Sequence, residues 1–431
     1  MHIYPQDLGA LVAARWESAN IGGRGPDSVL PDPSALEVVL STCYQASLLR
    51  EEERPVTFRI IVCNPDLFSD DDDGPPTGFH HFTFDDARPF TPDELRRLSP
   101  AVDFHRSLVG LYFGSDGQPR IWGVISSGPR WILAARGGRT PWRPLPDRLV
   151  VAATDPGRLV VYRGSDIVAT LHRGRVVVPS PEAFDSRWFR ETFAEACEEL
   201  YVLHRTATAG RTHRPLDREF VAQIGRNIVR WAIGVIRTSG HGATLLFVTP
   251  ETADHREPEP YLNIKYRFRD EPPRRRIRDL ILRVMEAVSR GGQPGAAGVR
   301  GPAGWADYVA SRDERLAELD EGIFEMAHLL ADLSAADGAV VLTKRLDILG
   351  FGAEISGALP EVPEVARALD AEARETEPEA ATDVGTRHRS AYRLSGALPE
   401  AMGLVVSQDG GVRFVRQVDG RVTYWEQAPA G

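Results

Sequence analysis

Two apolar runs, at residues 242–249 and 339–342, restrict the architecture more than any other feature of the chain. A run in which neighbouring side chains are nearly all apolar reads as a buried strand. The segment before the first run reads as a helix. Asp217 is placed to cap it, and Phe220, Ile224, Ile228, Trp231 and Val235 recur at helical spacing. A second strand follows at 261–266, then a helix with Ile277, Leu280, Ile281, Val284 and Val288 on one face, then a helix over roughly 305–331. Strand, helix and strand in this order predict a central sheet covered by helices.

The first half has a different texture. Strand-like runs at 57–62, 107–113, 120–125 and 158–162 are separated by turns with Gly, Pro and Asp. A helix opens the chain, with Leu8, Leu11, Val12 and Trp16 on one face. Near residue 183 the pattern changes, and 184–206 reads as helical. A chain of 431 residues with 42% hydrophobic content can bury more than one core, and about 150 residues per domain suggests two or three. The expected fold class is α/β: a strand-rich domain over 1–190, then a mixed sheet flanked by helices over 191–427.

Two polar motifs stand out inside the second half. Asp337 ends the polar turn Ser334-Ala335-Ala336 and opens the apolar run that begins at Ala339, so it sits at a strand mouth. Gly338 removes a side chain where a ligand would need close approach to backbone, and the carboxylate beside it is an oxygen donor for a divalent cation. The second motif is Gly385-Thr386-Arg387-His388-Arg389, ahead of a short helix at 390–394. Free backbone N–H groups and two guanidinium forks there would converge on an anion such as a triphosphate.

In this order, and with the strand 403–407, its following Gln408-Asp409-Gly410-Gly411 and the earlier strand 242–248, these residues resemble the diadenylate cyclase (DAC) domain family. That family is the catalytic part of DNA integrity scanning proteins and of membrane-linked cyclases, and the resemblance runs from about residue 196 to 427. It implies condensation of two ATP molecules into cyclic di-AMP with release of two pyrophosphates. By the same resemblance, Asp337 would bind Mg²⁺ or Mn²⁺ and help activate the ribose 3′-hydroxyl, while Gly338 and Ala339 line the nucleotide. Thr386, Arg387, His388 and Arg389 would hold the phosphates, and Ser407 would add a phosphate or metal-side contact. Asp409 stands where the family usually has Glu, as a second metal ligand one methylene shorter, and Gln408 replaces another common acid. Phe351 and Ile355 are candidates for the base pocket or for core.

A product with two identical bonds implies two domains face to face, so the implied partners are ATP and a homodimer or higher homo-oligomer. Residues 1–190 resemble the sensor-type regions ahead of some soluble cyclases, which implies a small-molecule signal. The alternative is a nucleotide-binding regulator of the same fold with weak or no turnover, favoured by Gln408, Asp409 and an acidic insertion at 357–383.

That insertion, Ala- and Glu-rich from Pro360 to Asp383, reads as a short helix plus disorder whose carboxylates would repel a nearby triphosphate. The loop 291–304 lacks the Gly-Lys-Ser/Thr ending of a P-loop and reads as a flexible connection. A net charge of −10 argues against nucleic acid as a general partner. Cys43, Cys63 and Cys197 show no Cys-x-x-Cys spacing, so neither a disulfide framework nor a zinc site is expected, and a cytoplasmic location follows. The first residues lack a signal-peptide pattern, and no apolar run approaches the roughly 20 residues that span a bilayer. The acidic run 70–73 and the cluster Arg274-Arg275-Arg276 with Arg278 read as solvated loop and exposed helix face, Trp122, Trp131 and Trp142 read as core or rim aromatics, and His80-His81 lacks the third ligand at helical or hairpin spacing that a metal site needs.

Overall fold

The computed structural model describes residues 4–16, 30–68, 74–75, 78–128, 145–172, 174–177, 183–211, 213–249, 261–290, 301–311, 313–357, 359–408 and 410–427. The acidic run 70–73, Trp131, Trp142, Asp409 and residues 291–300 of the Gly-rich loop lie outside them. Among the described residues there are nine α-helices and three sheets, in two compact units that divide after Ser180.

The first unit carries helices α1 (Pro5–Arg15), α2 (Pro33–Ser47) and α3 (Pro92–Leu98). A two-stranded ribbon joins β1 (Arg50–Glu51) to β2 (Arg54–Pro55). The main sheet is built from β3 (Phe58–Val62), β4 (His80–Pro89), β5 (Ser107–Phe113), β6 (Pro119–Ser126), β7 (Leu149–Asp155), β8 (Arg158–Arg163), β9 (Asp166–His172) and β10 (Arg175–Val177). Its order is β10-β9-β8-β7-β3-β5-β6-β4, and β3–β5 is the parallel pair. Side chains alternate between faces with the strand period of two. Phe58, Ile60, Leu149 and Val151 bury against Leu8, Val12, Leu36 and Leu40 of the helices, whereas Ile61, Leu108 and Val150 bury with Phe68, Phe79 and Trp122 on the other face. The expected stripe of the opening helix is therefore the one that packs. Trp122 satisfies its indole by donating to the Cys63 carbonyl at 2.8 Å.

The second unit begins with helices α4 (Arg187–Ala207) and α5 (Arg218–Ser239), the latter capped by Asp217, whose carboxylate accepts from the Glu219 N–H at 3.1 Å. Gly240 ends α5 in the left-handed conformation at φ 72°, which turns the chain directly into β11 (Ala243–Val248). Next come β12 (Leu262–Arg267), α6 (Arg276–Arg290), α7 (Trp305–Ala310), α8 (Glu314–Ala335), β13 (Ala339–Thr343) and β14 (Ile348–Ile355). Then follow β15 (Glu364–Ala368), β16 (Thr376–Ala380), α9 (Thr386–Ala397), β17 (Met402–Val406), β18 (Val412–Val418) and β19 (Arg421–Gln427). The sheet runs β12-β14-β13-β11-β17-β18-β19-β15-β16, with β11–β13 and β15–β19 parallel and the other pairs antiparallel.

The apolar runs are explained by burial on both faces. Leu245 and Phe247 of β11, Val340 and Leu342 of β13, and Leu404 and Val406 of β17 face the layer formed by α4, α5, α6 and α8. Leu246, Val248, Ala339 and Val341 face the other way and pack with Leu394 of α9. Each large side chain buried in this manner contributes about 1.5–3 kcal/mol. The result is a three-layer α/β/α unit.

Three expectations are corrected here. The helix foreseen over 305–331 is two helices, because Asp313 caps a new one by accepting from the Arg315 N–H at 2.9 Å. The polar turn foreseen before Asp337 is the end of α8: Ser334 and Ala335 are its last residues, and Ser334 Oγ donates to the Ala331 carbonyl at 2.7 Å. The acidic insertion is not built around an α-helix, its helical part being a single 3-10 turn at Ala381–Asp383. It forms the hairpin β15–β16, laid parallel on β19 at the sheet edge.

The hairpin's carboxylates are matched by cations and hydroxyls of the sheet. Glu364 pairs with Arg421 at 3.5 Å, and Glu379 accepts from the Tyr424 hydroxyl and lies 3.8 Å from Arg413. Arg413 donates in turn to the hydroxyl of Tyr392 on α9 at 2.9 Å and lies over the Tyr424 ring, 4.3 Å from its centroid. Burial raises the Tyr392 phenol above its ordinary pKa, so this residue stays a neutral hydrogen-bonding partner at neutral pH. Tyr392→Phe is expected to lower unfolding stability by about 1–2 kcal/mol, because Arg413 loses one acceptor and keeps its carboxylates. Urea unfolding of the variant measures this.

Candidate functional site

The strand registers bring the two polar motifs to one edge of the second sheet. Leu245 pairs with Val340 and Ala243 with Val406. Continued outward, those registers set Gly242 beside Asp337 on one side and beside Ser407 on the other. Ala339 pairs with Ala353, which brings Ile355 to the same edge. Asp337 and Ser407 are then two strands apart, about 10 Å.

Asp337 is exposed between the end of α8 and the start of β13. Gly338 follows with φ 108°, and a β-carbon on it would stand 2.6 Å from the Gly352 carbonyl carbon and 2.9 Å from Ala353 N. Glycine is required by both facts: the conformation, and a backbone-to-backbone approach that leaves no room for carbon. Ala339 is buried in the α9-side cluster, so it acts through packing beneath the mouth.

Helix α9 starts earlier than the sequence suggests, at Thr386 with Gly385 as its N-cap. Its first intrahelical bond runs from the Arg389 N–H to the Gly385 carbonyl at 3.2 Å. Thr386, Arg387 and His388 thus occupy the first turn, where backbone N–H groups point outward and the helix dipole favours an anion. Ala391 and Tyr392 bury against Val405, Val415 and Tyr424, and this anchors the helix while Thr386, Arg387 and Arg389 remain exposed. The His388 ring lies tilted beside that of Tyr392, with centroids 6.4 Å apart and planes at 53°.

One contact ties the helix to the strand mouths. A β-carbon on Gly242 would stand 2.7 Å from Nη1 of Arg387 and 3.0 Å from the Val406 carbonyl oxygen. The guanidinium of Arg387 therefore occupies the space that glycine leaves over the start of β11. Next to it, Nδ1 of His241 is buried without a hydrogen-bond partner among the described residues. Sequence reasoning passed over both Gly242 and His241. The available signal was a glycine placed between a helix-ending Gly240 and a fully buried strand.

Ser407 turns out of β17, and its hydroxyl donates to the Gly411 carbonyl at 3.1 Å while its N–H donates there at 2.8 Å. Asp409 lies outside the described residues, and Gln408 is exposed at the turn. Ile355 packs on the α9 side, whereas Phe351 stacks on Tyr266 at 4.7 Å and packs toward the helical layer. The two do not share a pocket. Among the described residues no group of three His, Cys, Asp or Glu side chains could hold a metal ion.

Residues 26–126 match the family described as probable sensor domain DACNV, the amino-terminal sensor of DAC-containing proteins. The match takes in α2, α3 and strands β1 to β6. The antiparallel neighbour of β3 on its other side, β7, lies beyond it, so the sheet is completed by residues outside the matched segment. No curated protein matches the chain. Among the described residues, no helix is long and apolar enough to cross a membrane.

Proposed function

We propose that residues 181–428 are a diadenylate cyclase unit that condenses two ATP molecules into cyclic di-AMP, governed by the sensor domain ahead of it. The observation that supports this most is the convergence of Asp337-Gly338, Gly242, Ser407 and the first turn of α9 at one sheet edge, with Arg387 seated against Gly242. The sensor match is the second support, since it is of the kind that precedes DAC domains.

In this reading the first turn of α9 and the guanidinium of Arg387 take the triphosphate, with Arg389 at its solvent side. Gly338 lets the nucleotide approach the backbone of β13, and Ser407 contributes a hydroxyl across the mouth. Asp337 fits a hard cation: Mg²⁺ or Mn²⁺ is commonly held by one or two carboxylates plus phosphate oxygens and water, without a larger protein cage. When bound, the ion supplies charge neutralisation on the phosphates. The remaining demand is positional, because in-line displacement at phosphorus needs little covalent participation from protein. Two units facing one another would bring two nucleotides into line.

The chain incubated with ATP and Mg²⁺ or Mn²⁺ should yield cyclic di-AMP by mass, with two pyrophosphates per product. ATP binding without product would instead favour the second reading, a regulator that keeps the grip without turnover, to which the exposed Gln408 in place of an acid points. Absence of ATP binding would remove both. Arg387→Ala should weaken ATP binding about ten- to a hundredfold, the worth of one charge-assisted hydrogen bond to phosphate; calorimetric titration reads it.

A further inference from the structure

Strand β12 forms one margin of the nine-stranded sheet, at the end away from β16, and pairs on one side alone, with β14. A sheet strand covered on one face ordinarily alternates apolar residues inward with polar residues outward. In this strand and the two residues after it the pattern is different. From Lys265 through Tyr266, Arg267 and Phe268 to Arg269 every residue is exposed, and basic side chains alternate with aromatic ones.

The aromatics are held in place. Tyr266 is 49% exposed and Phe268 37%, yet both rings meet Phe351 of β14. The Tyr266 ring stacks on Phe351 at 4.7 Å with planes 19° apart, and the Phe268 ring lies tilted beside it at 5.8 Å. Gly352 makes room for the stack, since a β-carbon there would stand 3.1 Å from Cδ2 of Tyr266. Two aromatic surfaces are thus fixed next to one another and open to solvent.

The cations around them lack counter-charges. Between 265 and 276 six basic residues stand against two acidic ones, in a chain whose net charge is −10. Asp270 pairs with Arg275 and lies 3.8 Å from Arg274, and Glu271 is exposed. Among the described residues, Lys265, Arg267, Arg269 and Arg276 have no carboxylate at ion-pair distance. Nζ of Lys265 instead lies 5.3 Å from the centroid of the Tyr266 ring.

We infer that this margin binds single-stranded nucleic acid, its phosphates along Lys265, Arg267 and Arg269 and its bases stacked at Tyr266 and Phe268. The cations alone would suit any polyanion, an acidic peptide included. The interleaved rings select among polyanions, because every base presents a π-face and an acidic side chain presents none. A duplex keeps its bases stacked on each other, so it can use the cations but not the rings. The overall negative charge opposes coating of the whole chain by nucleic acid and leaves a local strip of this kind available. Binding there requires nothing of the strand mouth, so it survives failure of the nucleotide reading.

Fluorescence anisotropy of a labelled oligothymidylate titrated with the full chain at low salt tests this. The single strand should bind at least about tenfold more tightly than a duplex of equal length, since one stacked base is worth about five- to a hundredfold. Affinity should fall with salt at a log–log slope of about −2, as expected for roughly three phosphate contacts. Tyr266→Ala should weaken binding about five- to a hundredfold, and Tyr266→Phe should retain it. Arg267→Glu combined with Arg269→Glu should abolish it at an unchanged melting temperature, because both side chains are exposed. No binding of the single strand, equal binding of the duplex, or undiminished binding in the folded Tyr266→Ala or the double variant would overturn the inference. Displacement of the strand by ATP at matched ionic strength would overturn it too, by placing the strand at the mouth. Polyglutamate that binds as tightly as oligothymidylate, with no loss on Tyr266→Ala, would overturn it in favour of an acidic protein segment.

Discussion

Asp337→Asn is expected to reduce cyclic di-AMP formation by about a hundredfold or more while leaving the fold intact. Asparagine preserves size and a carbonyl oxygen but removes the negative charge that would hold a divalent cation against two phosphates. The side chain is exposed beyond the end of α8, and a surface substitution of this kind stays within about 0.5 kcal/mol of native stability. Loss of turnover can therefore be separated from unfolding by comparing product yield with the thermal midpoint. Undiminished product from the Asn variant would remove Asp337 from the metal role and leave the phosphate grip of α9 to be explained otherwise.

Gly338→Ala is expected to act on the fold itself. At φ 108° an L-residue is strained, and the new β-carbon would lie 2.6 Å from the Gly352 carbonyl carbon and 2.9 Å from Ala353 N. Both obstacles are backbone, held in register by the Ala339–Ala353 pairing, so no rotamer change relieves them. Strain at such positions costs about 1–3 kcal/mol before the clash is counted, and for a unit of this size about 2 kcal/mol corresponds to roughly 4–8 °C in melting temperature. Calorimetry would show whether the transition moves. Native-like melting of this variant would mean that the β13–β14 crossing is looser than described.

The parts of the fold that were legible in sequence are those where one physical demand dominates. The runs that became β11 and β13 are apolar at nearly every position because helices cover both faces, and no other element type explains that pattern at such length. The hairpin β15–β16 was illegible for the converse reason. Its strands carry Glu364, Arg367, Glu377, Pro378 and Glu379, residues of low strand preference. What makes them strands is distant in sequence: parallel pairing on β19, Arg421 and Tyr424 as partners, and the turn carbonyl of Ala371, which accepts from the indoles of both Trp188 and Trp425.

The same contrast holds at the site. Asp337, Gly338 and the Arg387-His388-Arg389 run announce themselves by charge and conformational freedom. Gly242 matters only because a guanidinium 145 positions later in the chain lies against it. Such a contact has no local signature. Where most acidic residues of the insertion lie is likewise set by pairing remote in sequence, on the hairpin β15–β16. The hairpin stands five strands from β13, roughly 24 Å.

The place of Pro378 in β16 has a bearing on crowding. This strand closes one margin of a nine-stranded sheet, and an open margin of backbone donors and acceptors invites another chain to add a strand. A proline lacks the N–H such growth requires, and the flanking Glu377 and Glu379 place like charge in the path of any acidic newcomer. At high protein concentration this margin should resist runaway sheet stacking.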